Sequence, residues 1–367
     1  MPSKEVVGQR WNKLNREGGL SIPANLIRTV AIVGVIVLHA ANEAIAPQPM
    51  NQLEIYRWWM VDIYQTLSRV GVPLFVMLTG ALLLQPSKCD EPLGVFFKKR
   101  WARIGLPFLF WGAAYFAWSY FVHGQALTSS VILQGILSGP YFQFWYIYML
   151  VGLYLFTPIL RIFVAHANRK VLKYFVIIWF LGPLIVPLPG LLGNYNIDSN
   201  LLTIPWWIGY FVLGAYLINV RVRRSTLLIL MTAMFTATAV GTYMIAATVG
   251  GPQTYFFQDY FSPTTILASV TVFLLLNTLR APANPAEIPQ PKANWLVNGI
   301  GQNTLAIFLF HVMVLEALQL GLLGFTISGN TLNSIVEIPL ISAVSLFICL
   351  AVILPLKKIP IVKNAIG

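Results

Sequence analysis

The sequence predicts an all-α fold, a polytopic transmembrane helix bundle of about ten spans with both termini in the cytoplasm. Three observations lead there. The 367 residues are 57% hydrophobic and only 10% charged, with a mean hydropathy of +0.72, well outside the range of soluble domains. Apolar runs of about 20 residues follow one another with short polar breaks, and they are continuous rather than alternating, which excludes an outer-membrane β-barrel. The 24 Lys and Arg residues fall on alternate loops.

The spans follow in order. Span 26–46 comes after the charged segment MPSKEVVGQRWNKLNREGGL and contains LIRTVAIVGVIVLHA. Span 64–85 ends before the basic loop KCDEPLGVFFKKRWAR, which leads into span 104–122. Span 142–162 is separated from span 172–189 by the basic stretch Arg161 to Lys173. Span 205–219 ends at RVRR (Arg221–Arg224), after which come spans 226–248 and 262–279. The linker APANPAEIPQPKAN, Ala281 to Asn294, is rich in proline and alanine and reads as solvated chain before spans 302–323 and 336–356. Several spans are short or carry internal proline, which leaves the count open by one. With this topology every Lys and Arg except Arg57 and Arg69 lies on one side, the cytoplasmic one. The chain therefore divides into a cytoplasmic segment 1–25, a transmembrane domain 26–356 and a cytoplasmic tail 357–367, placed in the inner (plasma) membrane as a multi-pass protein.

The net charge of +12 is the topogenic signal and attracts anionic headgroups, so no nucleic-acid partner is expected. Cys89 lies in a cytoplasmic loop and Cys349 in the inner half of the last span, a pattern without an expected disulfide. No cleaved signal peptide is expected, because the first 20 residues lack an apolar core. No solenoid-period repeat is visible, and the two halves show no evident similarity. The outer loops are polar but nearly uncharged, which suits a neutral or weakly charged substrate such as a sugar.

An ionisable side chain inside the bilayer costs a few kcal/mol and marks a functional hypothesis. The set comprises His39, Glu43, Arg69, His311 and Glu316, with Arg28 at the inner edge. Arg28 and His39 are 11 residues apart, which places them on one helical face about 16 Å apart along the axis. Glu43 follows His39 at i+4, the arrangement of a general base with a carboxylate that orients it. By the same rise, His39 lies about 20 Å from the inner boundary with Arg69 at about the same level, and His311 and Glu316 at about 14 and 21 Å. Structural alternatives stand beside each. Arg28 at the rim is also a usual topology anchor, and His311 is also a usual interhelical hydrogen-bonding group. Glu316 is either a partner for Arg69 or a second acid, and Glu43 is either an orienter or a solvated residue. His123 and His166 read as surface histidines, and Trp58, Trp59, Trp145, Trp206 and Trp207 as aromatic-belt residues.

The R-x10-H pattern in IRTVAIVGVIVLHA resembles the first helix of the acyltransferase-3 family of integral-membrane O-acyltransferases. SRVGVPLFVMLTGALLL (Ser68–Leu84), FWYIYMLVGLYLFTPIL (Phe144–Leu160) and IGQNTLAIFLFHVMVL (Ile300–Leu315) are similar to that family in order and spacing, especially to its bacterial surface-polysaccharide acetyltransferases. The family often has Asp three residues before the first arginine; here the position is Asn25, which removes a carboxylate partner for Arg28. The resemblance implies transfer of an acyl group, acetyl in the first instance, from cytoplasmic acyl-CoA to a hydroxyl of a glycan or other cell-surface acceptor, without a metal. It assigns His39 as general base or transient acyl carrier, Arg69 as oxyanion stabiliser or donor contact, Glu43 as orienter of His39, and Arg28 as the CoA phosphate contact. His311, Glu316, Trp145 and Tyr146 are then expected on the acceptor side. The competing expectation is a proton-coupled secondary transporter or flippase that uses His39, Glu43 and His311 as a relay.

Overall fold

The structure, a computed structural model, describes residues 23–43, 52–185, 205–249, 251–279, 293–327 and 333–367. The N-terminal residues 1–22 and most of the proline-rich linker lie outside the described residues. Every regular element among the described residues is helical. Each predicted span coincides with a helix: α1 (Ala24–Glu43), α2 (Gln52–Ser68) continued by α3 (Gly71–Leu83), α4 (Leu93–Phe121), the unpredicted short α5 (Ser129–Ser138), α6 (Trp145–His166), α7 (Arg169–Ile185), α8 (Trp206–Leu217), α9 (Arg224–Thr248), α10 (Pro263–Asn277), α11 (Ala293–Gln302) followed by α12 (Thr304–Gln319), α13 (Ser334–Leu356) and α14 (Pro360–Ile366).

The chain is a multi-pass membrane protein, and the count of about ten spans is not confirmed. Among the described residues six helical stretches are long and apolar enough to span a bilayer, or seven if Trp295–Gln302 and Thr304–Gln319 form one span. Helix α8 is apolar but falls outside that set. Its 12 residues cover about 18 Å, short of a hydrocarbon core of about 30 Å. Nine of them, from Ile208 to Leu217, are buried by other helices, so the helix is apolar all round because protein surrounds it.

Two compact units interleave along the chain, and Pro158 inside α6 marks the division between them. The first contains residues 1–89 and 159–301. Its centre is the crossing of α3 and α8, where the backbones touch. A Cβ on Gly80 would stand 1.8 Å from the carbonyl oxygen of Phe211, and one on Gly214 would stand 1.9 Å from that of Met77. Lipid provides no hydrophobic drive for helix association, so close approach through small residues supplies the attraction. Trp179 of α7 lies flat over Gly209 and donates from Nε1 to the Trp206 carbonyl at 2.8 Å. Arg161, which the sequence reading counts only as a cytoplasmic-loop charge, is 3% exposed. Its Nε donates to the Leu83 carbonyl at 2.7 Å and Nη1 to Lys88 O at 3.2 Å, so a cation satisfies the last carbonyl of α3 and ties it to the turn that follows.

The second unit contains residues 90–158 and 302–367. Tyr115 of α4 donates to the Leu309 carbonyl of α12 at 2.8 Å, and Trp111 donates to Ile366 O at 3.2 Å. The last residues, expected as a tail, form α14 along α4 with Ile366 fully buried. Thr128 caps α5 by accepting from Val131 N, and Gly139 ends it with φ +107°, a conformation that other residues rarely adopt.

The α3–α8 crossing yields a direct expectation. Gly214→Val should cost at least about 3 kcal/mol, because the new Cβ meets backbone rather than a movable side chain. In a detergent thermal-unfolding assay this variant should lose most folded protein, while Gly94→Ala, which meets nothing within 4 Å, should match the wild type.

Candidate functional site

Helix α1 is apolar along most of its length, and its polar positions are few enough to trace one by one. At its start Asn25 bridges two elements. Its Oδ1 accepts from Arg28 Nη1 at 3.1 Å, and its Nδ2 donates to Asn298 Oδ1 of α11 at 2.8 Å. Thr29 adds a bond to the Val297 carbonyl at 2.9 Å, and Gly301 leaves room for the Asn25 backbone. Asn in place of Asp therefore does not dissolve the pairing with Arg28. It keeps the acceptor oxygen, orients the guanidinium without itself neutralising it, and uses the amide nitrogen to tie α1 to α11. His39, eleven residues on, is half-buried near the far end of α1. Glu43 closes the helix, but its side chain lies outside the described residues.

The second cation, Arg69, sits in the two-residue break between α2 and α3. That break packs on α1. A Cβ on Gly71 would stand 2.8 Å from Ala31 O, and one on Gly34 would stand 3.3 Å from Ser68 O. Arg69 therefore joins α1 at the level of Gly34, about 7.5 Å on the Arg28 side of His39 rather than level with it. Its guanidinium lies 5.4 Å from the centre of the Tyr260 ring and within hydrogen-bonding reach of that hydroxyl. Its Nε is buried and unpartnered, and no carboxylate among the described residues pairs with it. A half-buried cation with an idle, buried Nε–H can receive a carbonyl or anionic oxygen.

One charged residue here escapes the sequence reading. Asp62 is 3% exposed inside α2, whereas the predicted span starts only at Tyr64 and leaves Asp62 in a loop. Its Oδ1 accepts from Gln258 Nε2 at 2.6 Å. Trp58, Asp62, Gln65 and Thr66 recur at helical spacing and form one face of α2, and Arg69 continues the spacing into the break that follows. That period was the available signal.

His311, Glu316, Trp145 and Tyr146 all belong to the second unit. His311 is fully buried, with Nδ1–H donated to the Phe308 carbonyl at 2.7 Å and its ring 5.8 Å from that of Phe308. Tyr146 is buried against Phe308 at 4.9 Å, and Trp145 meets it edge-on. Glu316 gathers three donors: Trp118 Nε1 at 2.6 Å, His123 Nε2 at 3.3 Å and the Tyr141 hydroxyl. His123, read as a surface histidine, is exposed as expected yet bonded to this carboxylate. Glu316→Ala would strand the Trp118 and Tyr141 donors at a cost of about 2–3 kcal/mol. Thermal unfolding should show a clear drop for Glu316→Ala and a smaller one for Glu316→Gln, which keeps an acceptor oxygen; an unchanged melting temperature in Glu316→Ala would contradict this.

A family model for an acyltransferase domain matches residues 24–354. The succinoglycan biosynthesis protein ExoH of Rhizobium meliloti (strain 1021) is 24% identical over 124 residues. That alignment takes in 34% of this chain and 34% of the relative, so the chain matches about a third of the relative's length. No solved structure matches. The family match runs from the first residue of α1 to the last turn of α13 and takes in both units, so this chain belongs to the acyltransferase-3 family.

Proposed function

We propose that this protein is a membrane-embedded O-acyltransferase of the inner membrane that moves an acyl group, acetyl in the simplest case, from cytoplasmic acyl-CoA to a hydroxyl of a cell-surface glycan. The observation that carries the reading is the arrangement on α1. Arg28 and His39 share one face of α1 about 16 Å apart, and the Arg69 break packs on the flank of the same helix at a level between them, with a buried, unpartnered Nε. The glycan acceptor is suggested by the relative named for succinoglycan biosynthesis and by outer loops almost without charge.

The chemistry follows from the groups present. Arg28, oriented by Asn25, holds the phosphates of CoA at the cytoplasmic end. The pantetheine arm extends along α1 and presents the thioester carbonyl near Arg69. His39 takes the proton of the acceptor hydroxyl, and the oxygen attacks the carbonyl carbon. Negative charge collects on the carbonyl oxygen, where the guanidinium of Arg69 stabilises it in a water-poor site. Collapse breaks the C–S bond, and the imidazolium of His39 returns its proton to the departing thiolate. Glu43, one turn beyond His39, is the expected orienter of the imidazole.

The test is release of CoA from acetyl-CoA by purified protein in nanodiscs, with O-acetylation of a de-esterified surface polysaccharide read in parallel. His39→Ala should lower transfer by about 10²–10⁴-fold and Arg69→Ala by about 10²–10³-fold with folding retained. Arg28→Ala should raise KM for acetyl-CoA more than it lowers kcat. Wild-type rates in His39→Ala, or no CoA release by the wild type with any acceptor, would overturn the proposal.

A further inference from the structure

The polar face of α2 ends in a small chamber that the acyl-transfer chemistry above does not use. Asp62 and Gln258 line a cavity of about 30 Å³ in the first unit, with Trp58 and Tyr255 among its walls. Asp62 is 3% exposed and Gln258 is 1% exposed. Each satisfies the other through one bond of 2.6 Å, which leaves Asp62 Oδ2 and Gln258 Oε1 buried without partners. Thr66 Oγ1, one turn below Asp62, is also buried and unpartnered. Orphaned polar atoms of this kind cost about 1–3 kcal/mol each, so the two that line the cavity, Asp62 Oδ2 and Gln258 Oε1, amount to a standing cost that a ligand would relieve.

The chemistry of those atoms selects the ligand. Both orphans lining the cavity are acceptors, so the occupant must donate. A hard cation asks for about six oxygens, whereas the cavity offers two idle ones, which favours hydroxyl donors. One water needs about 10–15 Å³, so the space suits two heavy atoms, the size of a hydroxymethyl group. The rim suits the rest of such a ligand: Tyr255 is exposed, and Trp58 is held edge-on by Trp59 and Tyr243, which leaves aromatic surface for a sugar ring.

We infer that this chamber is a hydroxymethyl-reading subsite for a neutral hexose unit of the acceptor glycan. The hydroxymethyl group fills the cavity with its hydroxyl donating to one of the two idle acceptors, Asp62 Oδ2 in the first instance, and the ring rests against Trp58 and Tyr255. Arg69, seven residues from Asp62 along the same face, lies about 10 Å deeper, so a chain held at its end in the chamber extends toward the cation assigned to the acyl carbonyl. The inference rests on the glycan-acceptor reading above.

Binding without any acyl donor tests it. Full-length protein in nanodiscs is titrated by calorimetry with methyl galactoside, glucoside and mannoside, each against its 6-deoxy analogue, and in parallel with sodium against choline chloride. At least one hexoside should bind, its 6-deoxy analogue should bind at least about tenfold more weakly, and Asp62→Asn should weaken the parent sugar by a similar factor. Tyr255→Ala, which removes only an exposed ring, should give a smaller loss and keeps the inference testable if Asp62→Asn folds poorly. Sugar binding that is absent in the wild type, equal for parent and 6-deoxy sugars, or unchanged in Asp62→Asn overturns it. An Asp62-dependent response to sodium without one to sugar also overturns it, in favour of a cation site. Because no donor is present, failure here leaves acyl transfer standing, and absence of acyl transfer leaves the binding result readable.

Discussion

The contact between α1 and the α2–α3 break is the constraint on which the site depends. A side chain on Gly71 would place its first carbon 2.8 Å from the Ala31 carbonyl, so two backbones touch where most helix pairs interpose side chains. Arg28 lies six residues before Gly34 on α1 and His39 five residues after it, and Arg69 is held at the junction. The spacing of the three groups is thereby set by backbone, which tolerates little drift. A bulkier residue at either glycine would push the break, and Arg69 with it, away from α1.

That precision has a cost in stability. Asp62 is buried and Arg69 half-buried, neither has an ion-pair partner among the described residues, and each leaves a polar atom idle. The same unit holds its strongest packing close by. Gly80 and Gly214 bring α3 onto α8, and Arg161 satisfies the end of α3. A helix anchored at its far end by backbone contact and a buried cap can carry a charged break at its near end. The unsatisfied polar atoms thus precede the stabilising contacts along α2 and α3.

Much of this was legible in the sequence because hydropathy and charge are summed over long windows. The helical class, the approximate position of each helix and the shared face of Arg28 and His39 follow from composition and from 3.6-residue geometry alone. What failed depended on where protein replaces lipid. For helix α8 composition does not separate a helix buried in protein from one buried in lipid, and its 12 residues are short for a crossing. Asp62 was lost for the converse reason: polar residues near a predicted span end read as loop, although Trp58, Asp62, Gln65 and Arg69 already showed a helical period. Arg161 read as a topology charge because sequence does not reveal which helix end lies beside it. Asn25 read as the loss of a partner because the amide's two-way bonding, to Arg28 and to Asn298, requires knowing that α11 is adjacent.

The central claim is that an acyl group travels along α1 from a cytoplasmic donor to a hydroxyl on the other side. Proteoliposomes loaded with de-O-acylated surface polysaccharide from the native host, and supplied with labelled acetyl-CoA only in the external buffer, address it directly. Labelled ester should accumulate on the enclosed polysaccharide while free CoA appears outside. Ester that forms only when donor and acceptor share a compartment would contradict the account.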